Sequence, residues 1–208
     1  MKTVIMIYTL ILSSFFLLRF AAQSVQAAEQ AGSRYAKATF AGGCFWCMEK
    51  PFEGLEGVEA VISGYTAGTT KDPNYENYAA GGHIEAVEVI YDPARISYEK
   101  LLDVFWHQID PTDPDGQFVD RGHAYTTAIF YHDQQQKEAA EKSKEALGAS
   151  NIFSKPIVTP ILPATTFYPA EEYHQDYYRK NPLRYKFYRY GSGRDQFLDK
   201  IWGTDREK

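Results

Sequence analysis

A two-layer α+β domain, with helices packed on a mixed sheet, is the fold class this sequence predicts. Three observations lead there. Segments such as Ile84 to Tyr91 alternate apolar and polar residues with period two. Others, such as Leu101 to Ile109, place apolar residues at helical spacing. Regular strand–helix alternation is too sparse for a doubly wound parallel sheet. The 208 residues, 44% hydrophobic and 15% aromatic, suffice for one substantial core and hardly for two. No internal repeat, low-complexity tract or linker divides the chain.

The first segment stands apart from that domain. Lys2 precedes an apolar run from Val4 to Leu18, and a polar, small-residue stretch from Ala21 to Ala28 follows. That order reads as a secretory signal over 1–27, with Val25 and Ala27 as the small residues before a cut after Ala27. An uncleaved anchor is the competing reading, since the run including Phe20 approaches the roughly 20 residues that span a bilayer. Arg19 and the small residues behind it favour cleavage, and no cysteine near the cut offers a bacterial lipid anchor. Residues 28–36 then form a flexible leader, 37–204 the folded domain and 205–208 a tail. The expected destination is the periplasm, with secretion as the other outcome of export, and no membrane association follows once the signal is removed.

Within the domain, Lys37 to Ala41 predicts a short strand that stops at Gly42-Gly43, a pair suited to backbone conformations closed to other residues. A helix is expected from near Cys44 through Phe45, Met48, Phe52 and Leu55, with Pro51 bending it or standing near its end. Val58 to Ser63 alternates as a strand. From Gly64 to Gly82 glycines and tyrosines recur without a steady period, which predicts a long surface loop of the kind that carries function. Ile84 to Tyr91 reads as a half-buried strand ended by Asp92-Pro93, and Ser97 as the cap of an amphipathic helix reaching Ile109. Asp110 to Gly116 is turn chemistry, leading by way of Asp120 to a strand from Tyr125 to Tyr131. Asp133 with Gln136 makes a capping box for a helix to Leu147. A further strand near Ile157 to Leu162 precedes aromatic-rich helix and coil to Trp202.

A formal net charge of −5 removes the electrostatic footing for nucleic-acid binding. The cysteines are more informative, because both of them stand in Gly43-Cys44-Phe45-Trp46-Cys47. A zinc site would need two further ligands from scattered histidines, His83, His107, His123 and His174. A purely structural disulfide suits an oxidising destination, yet closing so short a loop restrains the unfolded chain little. A redox pair explains more. A cysteine in the first turn of a helix meets unpaired N–H groups and the positive end of the dipole, both of which stabilise thiolate. A second thiol three residues on shares the same face, so Cys44 is expected to attack and Cys47 to resolve. Phe45 and Trp46 between them supply an apolar wall beside the nucleophile, which points to an apolar substrate group, with ordinary core packing as the alternative.

Together with Asp72-Pro-Asn-Tyr75, Gly82-His-Ile-Glu-Ala-Val87, Ile109-Asp-Pro-Thr-Asp113, Gly116-Gln-Phe-Val-Asp-Arg-Gly122 and Glu171-Glu-Tyr-His-Gln-Asp-Tyr-Tyr178, the thiol motif resembles the A class of peptide methionine sulfoxide reductases. The match runs from Thr39 to Trp202. The resemblance implies reduction of methionine-S-sulfoxide, free or in proteins, through a sulfenic acid on Cys44. It implies Glu85 as the acid that protonates the sulfoxide oxygen, Tyr75 and Tyr125 as its hydrogen-bonding companions, and Asp120 as a polar anchor. Phe45 and Trp46 resemble the pocket for the S-methyl group. The chemistry asks for such groups, since a sulfoxide oxygen leaves readily only when protonated as sulfur is attacked. On residue pattern alone, Glu85 could equally be a solvated strand residue, His83 and His174 locally bonded turn histidines, and Glu171, Glu172 and Asp176 a helix face.

The sequence departs from many family members in having no cysteine after Cys47, and Ala79-Ala80 in the loop where some carry one. The implied cycle is therefore short: a Cys44–Cys47 disulfide, reduced by an external thioredoxin-like dithiol, with no bound cofactor and no metal. Oxidised proteins or peptides are the expected partners of a monomer. Two rival functions remain from the residues alone: a thiol–disulfide oxidoreductase acting on protein cysteines, and an exported binding module stapled by one disulfide.

Overall fold

A computed structural model describes residues 34–203, and the expected signal segment, most of the leader and the tail lie outside the described residues. The strand predicted at Lys37 is β1 (Ala36–Gly42), whose alternate residues part company: Ala38 and Phe40 join the main core, Ala41 a smaller cluster across the sheet. After α1 (Phe45–Glu53), with Pro51 in its last turn, come β2 (Val58–Thr66) and β3 (Ile84–Tyr91). The loop expected from Gly64 begins later, because Tyr65 is buried in the main core and Gly64 lies against β8 (Tyr168–Pro169). A Cβ at Gly64 would stand 2.4 Å from the carbonyl oxygen of Tyr168, so the close pairing needs glycine.

α2 (Tyr98–Trp106) starts at Ser97, whose Oγ accepts from the Lys100 N–H at 3.2 Å. A tight hairpin of β4 (Gly116–Gln117) and β5 (Asp120–Arg121) follows. Tyr125 ends a 3₁₀ turn, His123–Tyr125, in place of opening the expected strand, and β6 is Thr127–Tyr131. α3 (Gln134–Ala149) is capped by Asp133, whose Oδ1 accepts from the Gln136 N–H at 2.8 Å. The Gln136 side chain bonds His132 N and the Lys37 carbonyl, tying the helix start to β1. The strand expected from Ile157 is shorter, β7 (Ile161–Pro163), since Pro156 and Pro160 have no N–H to pair. α4 (Tyr177–Lys180), α5 (Pro182–Gly191) and α6 (Arg194–Trp202) complete the chain.

The main sheet runs β7-β6-β1-β3-β2-β8, antiparallel except for the β6–β7 pair, so it is mixed as expected. Phe40, Val61, Val87, Val89 and Ile129 present one face, onto which α1 brings Met48 and Phe52, α2 Leu101, Leu102 and Phe105, and α3 Ala140 and Leu147. Phe40 stacks on Phe52 at 5.4 Å and on Phe105 at 5.1 Å, binding sheet and two helices. Each such side chain, removed from water, contributes about 1.5–3 kcal/mol. β3, expected to be half-buried, is covered on both sides: helices on one, and Ala41, Ala128 and Phe130 with Phe167 on the other. The antiparallel register Phe40↔Val87 sets the end of β1 beside the start of β3. That single pairing brings Cys44, just beyond β1, to Glu85.

Candidate active site

The site starts with a turn only glycine can make. Gly43 has φ +79, and a Cβ there would lie 2.6 Å from Gln117 Cβ and 3.0 Å from Arg194 Nη2. The chain can therefore swing from β1 into α1 against the β4–β5 hairpin. Gly116, with φ +131 and no room for a Cβ beside the Asp120 carbonyl, closes that hairpin from the other side. Cys44 becomes the N-cap of α1, one position before the first turn where it was expected, and the Cys47 N–H bonds its carbonyl at 3.0 Å. Both thiols are free, with Cys44 6% and Cys47 1% exposed.

The thiols titrate as a pair, and the charge sits opposite to expectation. Burial, then the hydrogen bond it donates to Cys47, pushes the Cys44 thiol well above its ordinary value. The same hydrogen bond, with the Arg194 and Arg189 guanidiniums, pulls Cys47 down to about 6 against its own burial. The hydrogen bond between the thiols thus favours ionisation at Cys47 over Cys44. The Tyr188 hydroxyl reaches Cys44 as well.

Glu85 faces the helices, on the same side of β3 as Val87 and Val89, and is 2% exposed. The solvated-strand alternative is thereby set aside. Its Oε2 accepts from the Phe45 N–H at 3.0 Å, at the helix start beside Cys44. Its Oε1 accepts from the Tyr78 hydroxyl at 2.7 Å, and Tyr125 lies 3.2 Å further along the same chain of hydroxyls. Burial pushes the carboxyl up to about 8, against the hydrogen bonds from Phe45 and Tyr78, which lower it. A neutral acid is thus available at neutral pH.

Tyr75 and Tyr125 were both expected on Glu85. Among the described residues Tyr78 makes that bond in their place; Tyr125 acts through it, and the half-exposed Tyr75 ring stacks over Tyr78 at 6.0 Å and over His174 at 4.5 Å. Geometry explains the substitution. The Tyr75 N–H is held by Glu171 at 2.8 Å, on the outside of the loop, while Tyr78 turns inward to stack on Tyr65 at 4.6 Å. Asp120 accepts from the Tyr188 hydroxyl, and burial raises its carboxyl pKa against that bond and the Arg194 charge.

The apolar wall divides its labour. Phe45 is core, touching Tyr65 at 5.9 Å and His174 at 5.0 Å, and is 1% exposed. Trp46 is half-buried, stacked on Tyr177 at 3.7 Å, with its Nε1–H donated to His174 Nδ1 at 3.1 Å. Acceptance at Nδ1 fixes the proton of neutral His174 on Nε2. Glu171, far from being a solvated helix face, accepts from both Tyr65 and Tyr75. His83 bonds Gly68 and Thr70, His123 the Gly82 carbonyl and His107 the Asp103 carbonyl, so these three are tied to backbone partners. Tyr78, Tyr188 and Arg194 carried no signal in the sequence that set them apart.

Free paired thiols, a buried acid with a raised pKa beside them and a cluster of aromatic rings define a thiol-dependent oxidoreductase on a mixed-sheet α+β domain. A profile of the family described as peptide methionine sulfoxide reductase matches residues 36–206, and the chain belongs to that family, in its A class. It is 59% identical over 168 residues to the peptide methionine sulfoxide reductase MsrA of Listeria monocytogenes serotype 4b, covering 80% of this chain and 95% of that protein. Its identity to the MsrA of Bacillus licheniformis is 57% over 173 residues, covering 82% and 96%. Among solved structures, Mxr1 of Saccharomyces cerevisiae in reduced form superposes with a TM-score of 0.68 at 30% identity, covering 73% of this chain and 88% of that one. Methionine sulfoxide reductase A of Corynebacterium diphtheriae gives 0.64 at 32%, covering 73% and 78%. The chain is accordingly an oxidoreductase that reduces methionine sulfoxide.

Proposed function

We propose that the chain reduces the S epimer of methionine sulfoxide, in proteins and as the free amino acid, by a two-thiol cycle closed between Cys44 and Cys47. Division of the two epimers between separate enzymes is already established for these reductases. The observation that carries the mechanism is Glu85, a carboxyl raised to about 8 by burial and bonded to the N–H next to Cys44. Cys44 sulfur attacks the sulfoxide sulfur while its proton passes to Cys47 along the existing hydrogen bond. Glu85 protonates the oxygen, which leaves on Cys44 as sulfenic acid, and methionine is released. Cys47 then displaces that oxygen as water and forms the disulfide. Phe45 and Trp46 hold the S-methyl group, Tyr75, Tyr78 and Tyr125 orient the oxygen and its acid, and Asp120 anchors the polar end.

A thioredoxin-like dithiol reduces the disulfide. Export by the 1–27 segment, with cleavage after Ala27, would take the domain of residues 37–204 to the periplasm, where a reductant must be supplied against an oxidising poise. Thiol counting tests the cycle: reduced enzyme given one methionine-S-sulfoxide peptide, without reductant, is expected to lose both thiols as one methionine forms. Loss of a single thiol with a persistent sulfenic acid would make Cys47 a bystander. Glu85→Gln separates this reading from thiol–disulfide exchange, since sulfoxide reduction needs the acid and exchange does not.

A further inference from the structure

One buried charge plays no part in that cycle as described. Arg194 opens α6 and is 1% exposed, although arginine is almost never so deeply buried without a pairing anion. Among the described residues no carboxylate oxygen lies within 4.0 Å of its guanidinium. Nη1 donates to the Gln108 carbonyl at 2.5 Å and Nη2 to the Gly42 carbonyl at 2.9 Å, the Phe118 ring centroid is 4.6 Å away, and Nε has no partner. Carbonyls and a ring face solvate a cation without neutralising it. The contacts locate the charge: Gly42 stands just before the thiol motif, and Met48, whose Sδ is 3.8 Å from Nη1, directly follows Cys47. Arg189 also reaches this turn, donating to the Cys47 carbonyl at 3.2 Å and sharing its charge with Cys47, but unlike Arg194 it has a carboxylate partner, Asp195 at 2.8 Å.

We propose that the Cys47 thiolate is the counter-charge of Arg194, and that Arg194 is thereby a positioning residue that keeps Cys47 ionised to attack the oxidised Cys44. The proposal rests on the two-thiol cycle and specifies its second half. After methionine leaves, Cys47 returns the proton it received and Glu85 regains one. The Cys47 Sγ–Cys44 Sγ bond forms as the Cys44 S–O bond breaks, and hydroxide departs as water with the Glu85 proton. Cys44 is oxidised by the sulfoxide in the first half, and no further oxidant enters.

Arg194 and Arg189 favour the Cys47 thiolate and Asp120 opposes it; Glu85 on β3 and Tyr185 and Tyr188 on α5 face it too. Asp120 feels Arg194 as well, but it is beyond ion-pair reach and bonded by Tyr188.

The test reads the two half-reactions separately after one equivalent of methionine-S-sulfoxide peptide is mixed with reduced enzyme: methionine by chromatography, disulfide by thiol loss. In the native enzyme the pH midpoint of disulfide formation is expected to lie below that of an ordinary thiol. Arg194→Lys should keep it low, and Arg194→Met should move it up, toward an ordinary thiol. An unmoved midpoint in folded Arg194→Met overturns the proposal, whereas absence of methionine formation overturns the sulfoxide reading itself.

A second measurement leaves Arg194 in place. Cys47 has a folded pKa below its unfolded value, so its ionisation stabilises the fold above about pH 8.5, and that stability is lost as pH falls through about 6. The Tm of the reduced native enzyme should exceed that of Cys47→Ser at alkaline pH, with the gap closing by about pH 5. A gap constant with pH overturns the assignment.

Discussion

At the scale of the residue, the decisive group is a carboxyl kept neutral by burial at a position where strand alternation turns it inward. Glu85→Gln is expected to lower kcat for sulfoxide reduction by about 10²–10⁴-fold, the usual range for loss of a general acid, with KM little changed in steady-state assays. The acid form is present below about 8, so kcat should fall as pH rises through that value. Tyr78→Phe removes a hydrogen bond that lowers this pKa, and should shift the alkaline limb upward while slowing turnover about tenfold; a pH–rate profile of the variant checks both. Cys44 and Cys47 were legible in the sequence because motif and spacing isolate them, whereas Glu85 was singled out only by the family resemblance. Tyr78 was not, being one of 16 tyrosines in a stretch without period, and its role exists only once β3 lies beside the start of α1. The lowered pKa of Cys47 was illegible for a similar reason: besides the hydrogen bond from Cys44 it reflects Arg194 and Arg189, which enter from the far end of the chain.

At the scale of the element, local chemistry and tertiary contact had different visibility. Ser97 and Asp133 announced their helices because each cap bonds an N–H three residues on, within reach of any local reading. Ser97→Ala should cost about 1 kcal/mol and lower Tm by about 2–4 °C in a scanning melt, with activity retained. The extent of β2 was missed because Gly64 and Tyr65 look like loop residues until Tyr168 and the core supply their partners. The turn into α1 is the least forgiving segment. Gly43→Ala would strain a positive φ and drive a methyl into Gln117, so a folded variant should lose most of its sulfoxide reductase activity through displacement of Cys44.

At the scale of the whole molecule, buried carboxyls set how stability answers to pH. Glu49 on α1 is 1% exposed, accepts from the Asp176 N–H at 2.9 Å and is pushed up to about 7 by burial; Glu85 is pushed up to about 8. Both bind protons more tightly folded than unfolded, so each contributes stability that is complete below about pH 4.5 and is lost as pH rises through its folded value. Glu49→Gln, which keeps an acceptor for Asp176, should melt higher than the native protein above pH 8 and no higher near pH 4.5, as differential scanning calorimetry would show. The sheet ends have a quieter consequence. Its outermost members are β7 and β8, the first only Ile161–Pro163, the second only Tyr168–Pro169, and each closes on a proline. Along these two members a neighbouring molecule seeking to extend the ladder would find few rungs and a ring where an amide should be. Stacking of copies through β7 or β8 should for that reason be disfavoured in concentrated solutions of the folded protein.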